Sequence, residues 1–144
     1  DALPILTIDQ IKVGDKVSIE KTISETDVYL FAGITGDLNP AHVNQAASEK
    51  TMFKSRIAHG ILVSGFISAC LGMHLPGPGT IYMGQQLKFT APVYIGDTIK
   101  AEVEVIEMNV EKNRVKLRTV CTNQNGKVVV DGEALVMPPK KVSE

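Results

Sequence analysis

A carboxylate and an imidazole lie five residues apart in the stretch Gly36-Asp37-Leu38-Asn39-Pro40-Ala41-His42. Two such groups converging on one water can take a proton from it and return one, which is general acid–base chemistry. Five is a poor spacing for sharing one helical face, where three or four serves. Pro40 removes a backbone donor and drives Asn39 toward extended geometry, so no helix is expected here. The sequence predicts a bent loop that aims Asp37 and His42 at one point. The same residues also make an ordinary turn, in which Asp and Asn bond their own backbone and His42 is incidental. The rest of the chain has to decide between these readings.

The elements that would hold this loop are legible on both sides of it. Lys16 to Thr22 alternates Val17 and Ile19 with Lys16, Ser18 and Glu20, the period of a half-buried strand. Ser24 is an N-cap residue followed by Glu25 and Asp27, and Gly36 is a stop, so a helix should run between them. Val28, Leu30, Phe31 and Ile34 should form its apolar face. Asn44 can cap a short helix, and the chain on to Ser55 either lies over a ligand site or is a surface connection. From Arg56-Ile57-Ala58-His59-Gly60 to Gly72 runs a second helix, apolar on nearly every side but too short for a membrane. It reads as a buried core helix that something must wrap. After the breaker Leu75-Pro76-Gly77-Pro78-Gly79 come four strand-like runs, residues 80–90, 98–106, 114–121 and 128–137, with a hairpin signal at Asn125-Gly126. They fit an antiparallel meander, giving an α+β layer architecture.

Composition narrows the function. The 144 residues suit one domain, 44% apolar and 22% charged. A net charge of -1 gives no electrostatic case for nucleic acid or an anionic membrane. Cys70 and Cys121 have no CxxC spacing and read as free, packed thiols of a reducing compartment. A cytoplasmic protein is expected, though a trimmed organelle-targeting segment stays open because the sequence begins without Met. No His/Cys/Asp/Glu spacing matches a metal set, so no metal and no cofactor are expected.

Several pieces in order resemble the MaoC-like, (R)-specific enoyl-CoA hydratase family of the hotdog fold. They are Phe31 through Thr35-Gly36-Asp37, Asn39, Pro40 and His42; Ile57-Ala58-His59-Gly60; Leu75 through Tyr82; and Phe89, Pro92, Val93, Gly96 and Asp97. The resemblance runs from about Val13 to Met137. It implies one hotdog domain over residues 1–144, an antiparallel sheet wrapped around one long buried central helix. It implies reversible addition of water to a trans-2-enoyl-CoA, with short chains such as crotonyl-CoA favoured. Asp37 and His42 match the catalytic dyad, and Gly60 the residue whose N–H meets the thioester oxygen. Ser68 matches a hydroxyl on the central helix near the site, and Asn39 the residue that fixes the loop. The family further implies a homodimer with the acyl-CoA along the subunit interface. The alternatives are a hotdog acyl-CoA thioesterase and a non-catalytic acyl-CoA-binding module.

The chemistry agrees with that assignment. Gly60 sits in the first turn of the long helix, where N–H groups are free and the dipole is positive, suited to a developing oxyanion. His42 and Asp37 would hold one water; which of them carries which proton stays open. His59 either contacts substrate or braces the loop, and His74 faces solvent or the helix end. One of Gln85 and Gln86 must point inward. Lys88, Lys112, Arg114 and Arg118 either meet CoA phosphates or lie on solvated strand faces. Val63, Phe66, Ile67 and Leu71, with the 44–55 segment, should set pocket depth.

Overall fold

A computed structural model describes residues 5–141. Strand β1 (Lys16–Thr22) leads into helix α1 (Glu25–Thr35), two one-turn helices α2 (Pro40–Val43) and α3 (Gln45–Ser48), and the long helix α4 (Gly60–Met73). Strands β2 (Ile81–Phe89), β3 (Thr98–Asn109), β4 (Arg114–Thr122) and β5 (Val128–Met137) follow. The five strands form one antiparallel sheet in the order β1-β3-β4-β5-β2.

Strands β3, β4 and β5 make the expected meander, and the Asn125-Gly126 turn joins the last two, with Gly126 at φ 76. Strand β2 departs from it. It pairs with β5 and stands at the far edge, not beside β3. Alternation shows that a run is a strand, but not which strand it pairs with, and here β2 and β3, consecutive in the chain, are separated in the sheet by β4 and β5. At the β2–β5 pairing a Cβ on Gly132 would lie 1.9 Å from the Gln86 carbonyl oxygen, so only glycine fits between these backbones.

One face of the sheet carries Ile99, Ala101, Val103, Val105, Val115, Leu117, Cys121, Ala134 and Val136, all buried. Helix α4 lies on it through Val63, Ile67, Cys70 and Leu71. Burying each of its larger aliphatic side chains contributes about 1.5–3 kcal/mol. The opposite side of α4 is open in the single chain: Ile61 is 56% exposed, and Gly65 and Ser68 are exposed too. The helix is thus buried on one face, not on nearly every side. Its start also differs. Ile57 bridges Tyr94 and Ala58 donates to the Val93 carbonyl at 2.7 Å, so residues 57–59 are held extended and the helix begins at Gly60.

Helix α1 has the caps its sequence implies. The Ser24 side chain accepts from Asp27 N, Asp27 reaches back to Ser24 N, and Gly36 ends the helix at φ 81. Its buried face is Val28 and Ala32, however, while Leu30 and Ile34 are 59% and 81% exposed. Asn44 caps α3 as expected, accepting from Ala47 N at 3.0 Å. Both thiols are buried, and burial pushes Cys70 up to about 11 and Cys121 to about 12, in keeping with inert packing groups. No helix among the described residues is long and apolar enough to cross a membrane.

Candidate active site

His42 stands on a helix, not on the bent loop expected. Pro40 occupies the first position of α2, where the N–H it lacks would have had no intrahelical partner. Asn39, extended at ψ 129 as a residue before proline should be, is the N-cap, and its Oδ1 accepts from Ala41 N at 3.0 Å. Proline here marks a helix start. Asn39 ties the start of α2 through this bond. Asp37 lies ahead of this helix, just past the α1 cap, so the i,i+5 argument does not apply. Thr35 Oγ1 accepts from Asp37 N at 3.1 Å, and Asp37 Oδ1 accepts from Asn39 N at 3.3 Å.

His42 is only 9% exposed. Its Nδ1 lies 2.6 Å from the Ile57 carbonyl oxygen. A carbonyl only accepts, so Nδ1 carries a hydrogen, and in the neutral ring Nε2 is the nitrogen with the lone pair. That is the tautomer of a base. His59, 3% exposed, donates from Nε2 to the Asp37 carbonyl at 3.0 Å and stacks on the His42 ring at 3.8 Å and 29°. Of the two roles left open for His59, the geometry shows the loop brace.

Asp37, His42 and His59 each bring one oxygen or nitrogen within 4.8 Å of the others. One water about 2.8 Å from a carboxylate oxygen and from an imidazole nitrogen spans such a gap. A metal ion fits less well. The two rings lie face to face, so their in-plane lone pairs run side by side and do not converge on one centre.

These residues, with Phe31, Thr35, Gly60 and Ile61, line a cleft of about 300 Å³. Gly60 is the first residue of α4, with its N–H free of the helix and the dipole's positive end behind it. Gly60 and Ile61 are shared with a second, apolar pocket of about 440 Å³ walled by Phe53, Val63, Phe89, Val93 and Val130 among others. Phe53 comes from the segment after α3, which is therefore more than a surface connection. Arg56 ties this segment to α1, bonding Gln45, Tyr29 and Glu25 at 3.1, 2.8 and 2.7 Å. That guanidinium holds the Glu25 carboxyl below its ordinary value.

Other expected residues are elsewhere. Ser68 does not line this chain's cleft; it is exposed two turns along α4. Of the residues expected to set pocket depth, Val63 lines the apolar pocket, but Ile67 and Leu71 are sealed in the core. Gln85 is the inward glutamine, bonding Thr119 Oγ1 at 2.9 Å inside the sheet. Lys88 and Arg118 lie on the sheet face away from α4 beside Asp131, and none of the four candidate phosphate ligands lines either pocket near Gly60. His74 is the half-buried C-cap of α4. Two contributors escaped sequence reasoning. Thr35 was visible in its motif but had no assigned part, and Ile57 acts through a carbonyl that no side-chain pattern reveals.

One central helix against an antiparallel sheet, with an acid–base cleft at the helix N-terminus, defines a hotdog-fold protein. The chain belongs to the MaoC-like domain family, whose pattern matches residues 10–126. It is 55% identical over 141 residues to the (R)-specific enoyl-CoA hydratase of Rhodospirillum rubrum, spanning 98% of this chain and 97% of that one. It is 47% identical over 139 residues to the 3-hydroxybutyryl-CoA dehydratase of Methylorubrum extorquens, spanning 96% and 88%. The solved structure of the R-hydratase PhaJ1 from Pseudomonas aeruginosa, unliganded, superposes with a TM-score of 0.90 at 46% identity, covering 97% of this chain and 93% of that one.

Proposed function

We propose that the protein is an (R)-specific enoyl-CoA hydratase that adds water reversibly to short trans-2-enoyl-CoA thioesters. The observation that carries the reading is the His42 tautomer beside the Asp37 carboxylate and the free Gly60 N–H. The four-carbon substrate in the name of the Methylorubrum extorquens relative supports the short chain.

The thioester oxygen accepts from Gly60 N–H, which draws electrons from the double bond and leaves C3 electrophilic. A water between Asp37 and His42 attacks C3. As its oxygen bonds carbon, His42 Nε2 takes one proton, and the imidazolium keeps its Nδ1–H on the Ile57 carbonyl. Negative charge gathers on the thioester oxygen at the helix N-terminus. A proton from the dyad then reaches C2, with Asp37 orienting the transfer, and both groups return to their starting forms. The net change is one water added across C2 and C3.

The protein acts as a homodimer with acyl-CoA along the interface. Three features support this: the unpaired outer edge of β2, its exposed Ile81, Met83 and Phe89, and the open side of α4 with Ile61, Gly65 and Ser68. Sedimentation at the mass of a single 15.6 kDa chain would overturn the dimer.

Crotonyl-CoA is the test substrate. Loss of the enoyl-thioester absorbance without release of free thiol is expected, with the product oxidised only by an (R)-specific 3-hydroxyacyl-CoA dehydrogenase. Thiol release would move the protein to the thioesterases. Binding of crotonyl-CoA with neither change would make it an acyl-CoA-binding module.

A further inference from the structure

Among the described residues, His59 alone has a buried side-chain nitrogen or oxygen with no hydrogen-bond partner, and the hydration step leaves it unused. It caps α4 by position only, for its side chain makes no bond to the helix end. Its Nε2–H goes to the Asp37 carbonyl, 22 residues back in the chain. Its Nδ1 is buried with no hydrogen-bond partner among the described residues. Because Nε2 must hold a hydrogen, a second proton on Nδ1 would bury an unpaired cationic N–H, which costs far more than an unpaired lone pair. His59 is therefore a neutral ring. Phe31 tilts against it at 4.7 Å and 60°, holding its plane from the side of α1.

An ordinary core histidine would not explain this placement. A side chain left with an unpaired nitrogen destabilises its site unless another contact offsets it. Here, besides the Phe31 ring, its contacts fall on the two members of the acid–base pair. The ring lies against His42, and the N–H holds the peptide that carries Asp37. Asp37 itself is exposed, on a loop between two helices, and has no direct bond to His42 among the described residues. Something has to hold the two apart by the width of a water.

Resting on the hydratase reading, we infer that His59 is a positioning residue that sets the separation of Asp37 and His42. It lines the cleft beside the pair, but its part is to place them rather than to exchange a proton with the water. A neutral ring stacked on His42 also suits the moment when His42 becomes a cation, because an aromatic face attracts positive charge. Displacing one member of such a pair by about 1 Å can lower turnover about 10²-fold.

The test compares three proteins with crotonyl-CoA. His59→Leu fills the space but donates nothing. His59→Gln retains an N–H that can reach the Asp37 carbonyl. The expected result is kcat lowered about 10²-fold in His59→Leu, with KM within about 3-fold of the parent, and at least about 10-fold of that loss recovered in His59→Gln. Thermal melts show whether each variant is folded. If His59→Leu does not fold, His59→Phe, which keeps a ring on His42 but has no donor, takes its place. Unchanged kcat in the donor-free variant overturns the inference. So does a loss carried by KM, which would make His59 a substrate contact, or a Gln variant no better than the donor-free one. A parent protein that fails to hydrate crotonyl-CoA would instead overturn the functional reading on which the inference rests.

Discussion

Asp37→Asn and His42→Gln are each expected to lower kcat for crotonyl-CoA hydration by about 10²–10⁴-fold while the protein stays folded. The structure explains why both halves of that statement should hold. Asn at position 37 still offers an oxygen to Asn39 N, so the loop keeps its local bond, but the charge that orients the water is gone. Gln at position 42 can still donate to the Ile57 carbonyl, which limits the cost of replacing a nearly buried ring. It has no basic nitrogen to receive a proton. The two losses should not add, since the groups act on one water. Stopped-flow or steady-state absorbance gives kcat, and circular dichroism gives the fold. Turnover near the parent rate in either variant would remove the dyad from the mechanism.

The second large effect is expected at Gly60, where a pair of variants separates the N–H from the space around it. Proline is well tolerated at the first position of a helix, and His59 at ψ 132 already has the extended backbone that must precede it. Gly60→Pro therefore deletes the proposed oxyanion donor with little harm to α4. Any side chain here meets Phe89, whose ring atoms would lie 2.7 Å from a new Cβ. That ring is 52% exposed and can turn away. Gly60→Ala adds the same Cβ and keeps the N–H, so it reports the steric part alone. We expect kcat in Gly60→Pro to fall about 10²–10³-fold below that in Gly60→Ala. Equal rates in the two variants would show that the donor is elsewhere.

Much of the frame was legible because each signal was local. Lys16–Thr22 was read to its ends from alternation and Val128–Met137 as a strand-like run after the Asn125-Gly126 turn, and Ser24 and Gly36 marked both caps of α1. Signals failed where a distant partner decides the outcome. Arg56 to His59 has helical composition, yet Val93 and Tyr94 claim its backbone and keep it extended. Leu30 and Ile34 look like a core face, but Val28 and Ala32 are the residues that reach the interior. The pairing of β2 with β5 depends on a crossover that no periodicity encodes. In the site, side chains named their own chemistry, so Asp37, His42 and Gly60 were found and lie together. Ser68 was also named, but the single chain leaves it facing outward. Pro40 misled because the rule that forbids proline inside a helix also favours it at the first position.

Four consecutive residues, Ile57 to Gly60, touch every part of the proposed chemistry. The Ile57 carbonyl holds the base, the His59 ring holds the peptide of its partner, and Gly60 presents the N–H for the thioester. Ala58 anchors the four to the chain at Val93. Base, acid loop and oxyanion donor thus share a common mount, and a small shift of it moves all three together. Such a site has no half-assembled state to retain partial activity. Its working geometry is as steady as the few backbone bonds that dock this segment, on Ala41 and on Val93 and Tyr94 after β2, and a local opening there would silence the enzyme long before the sheet itself came apart.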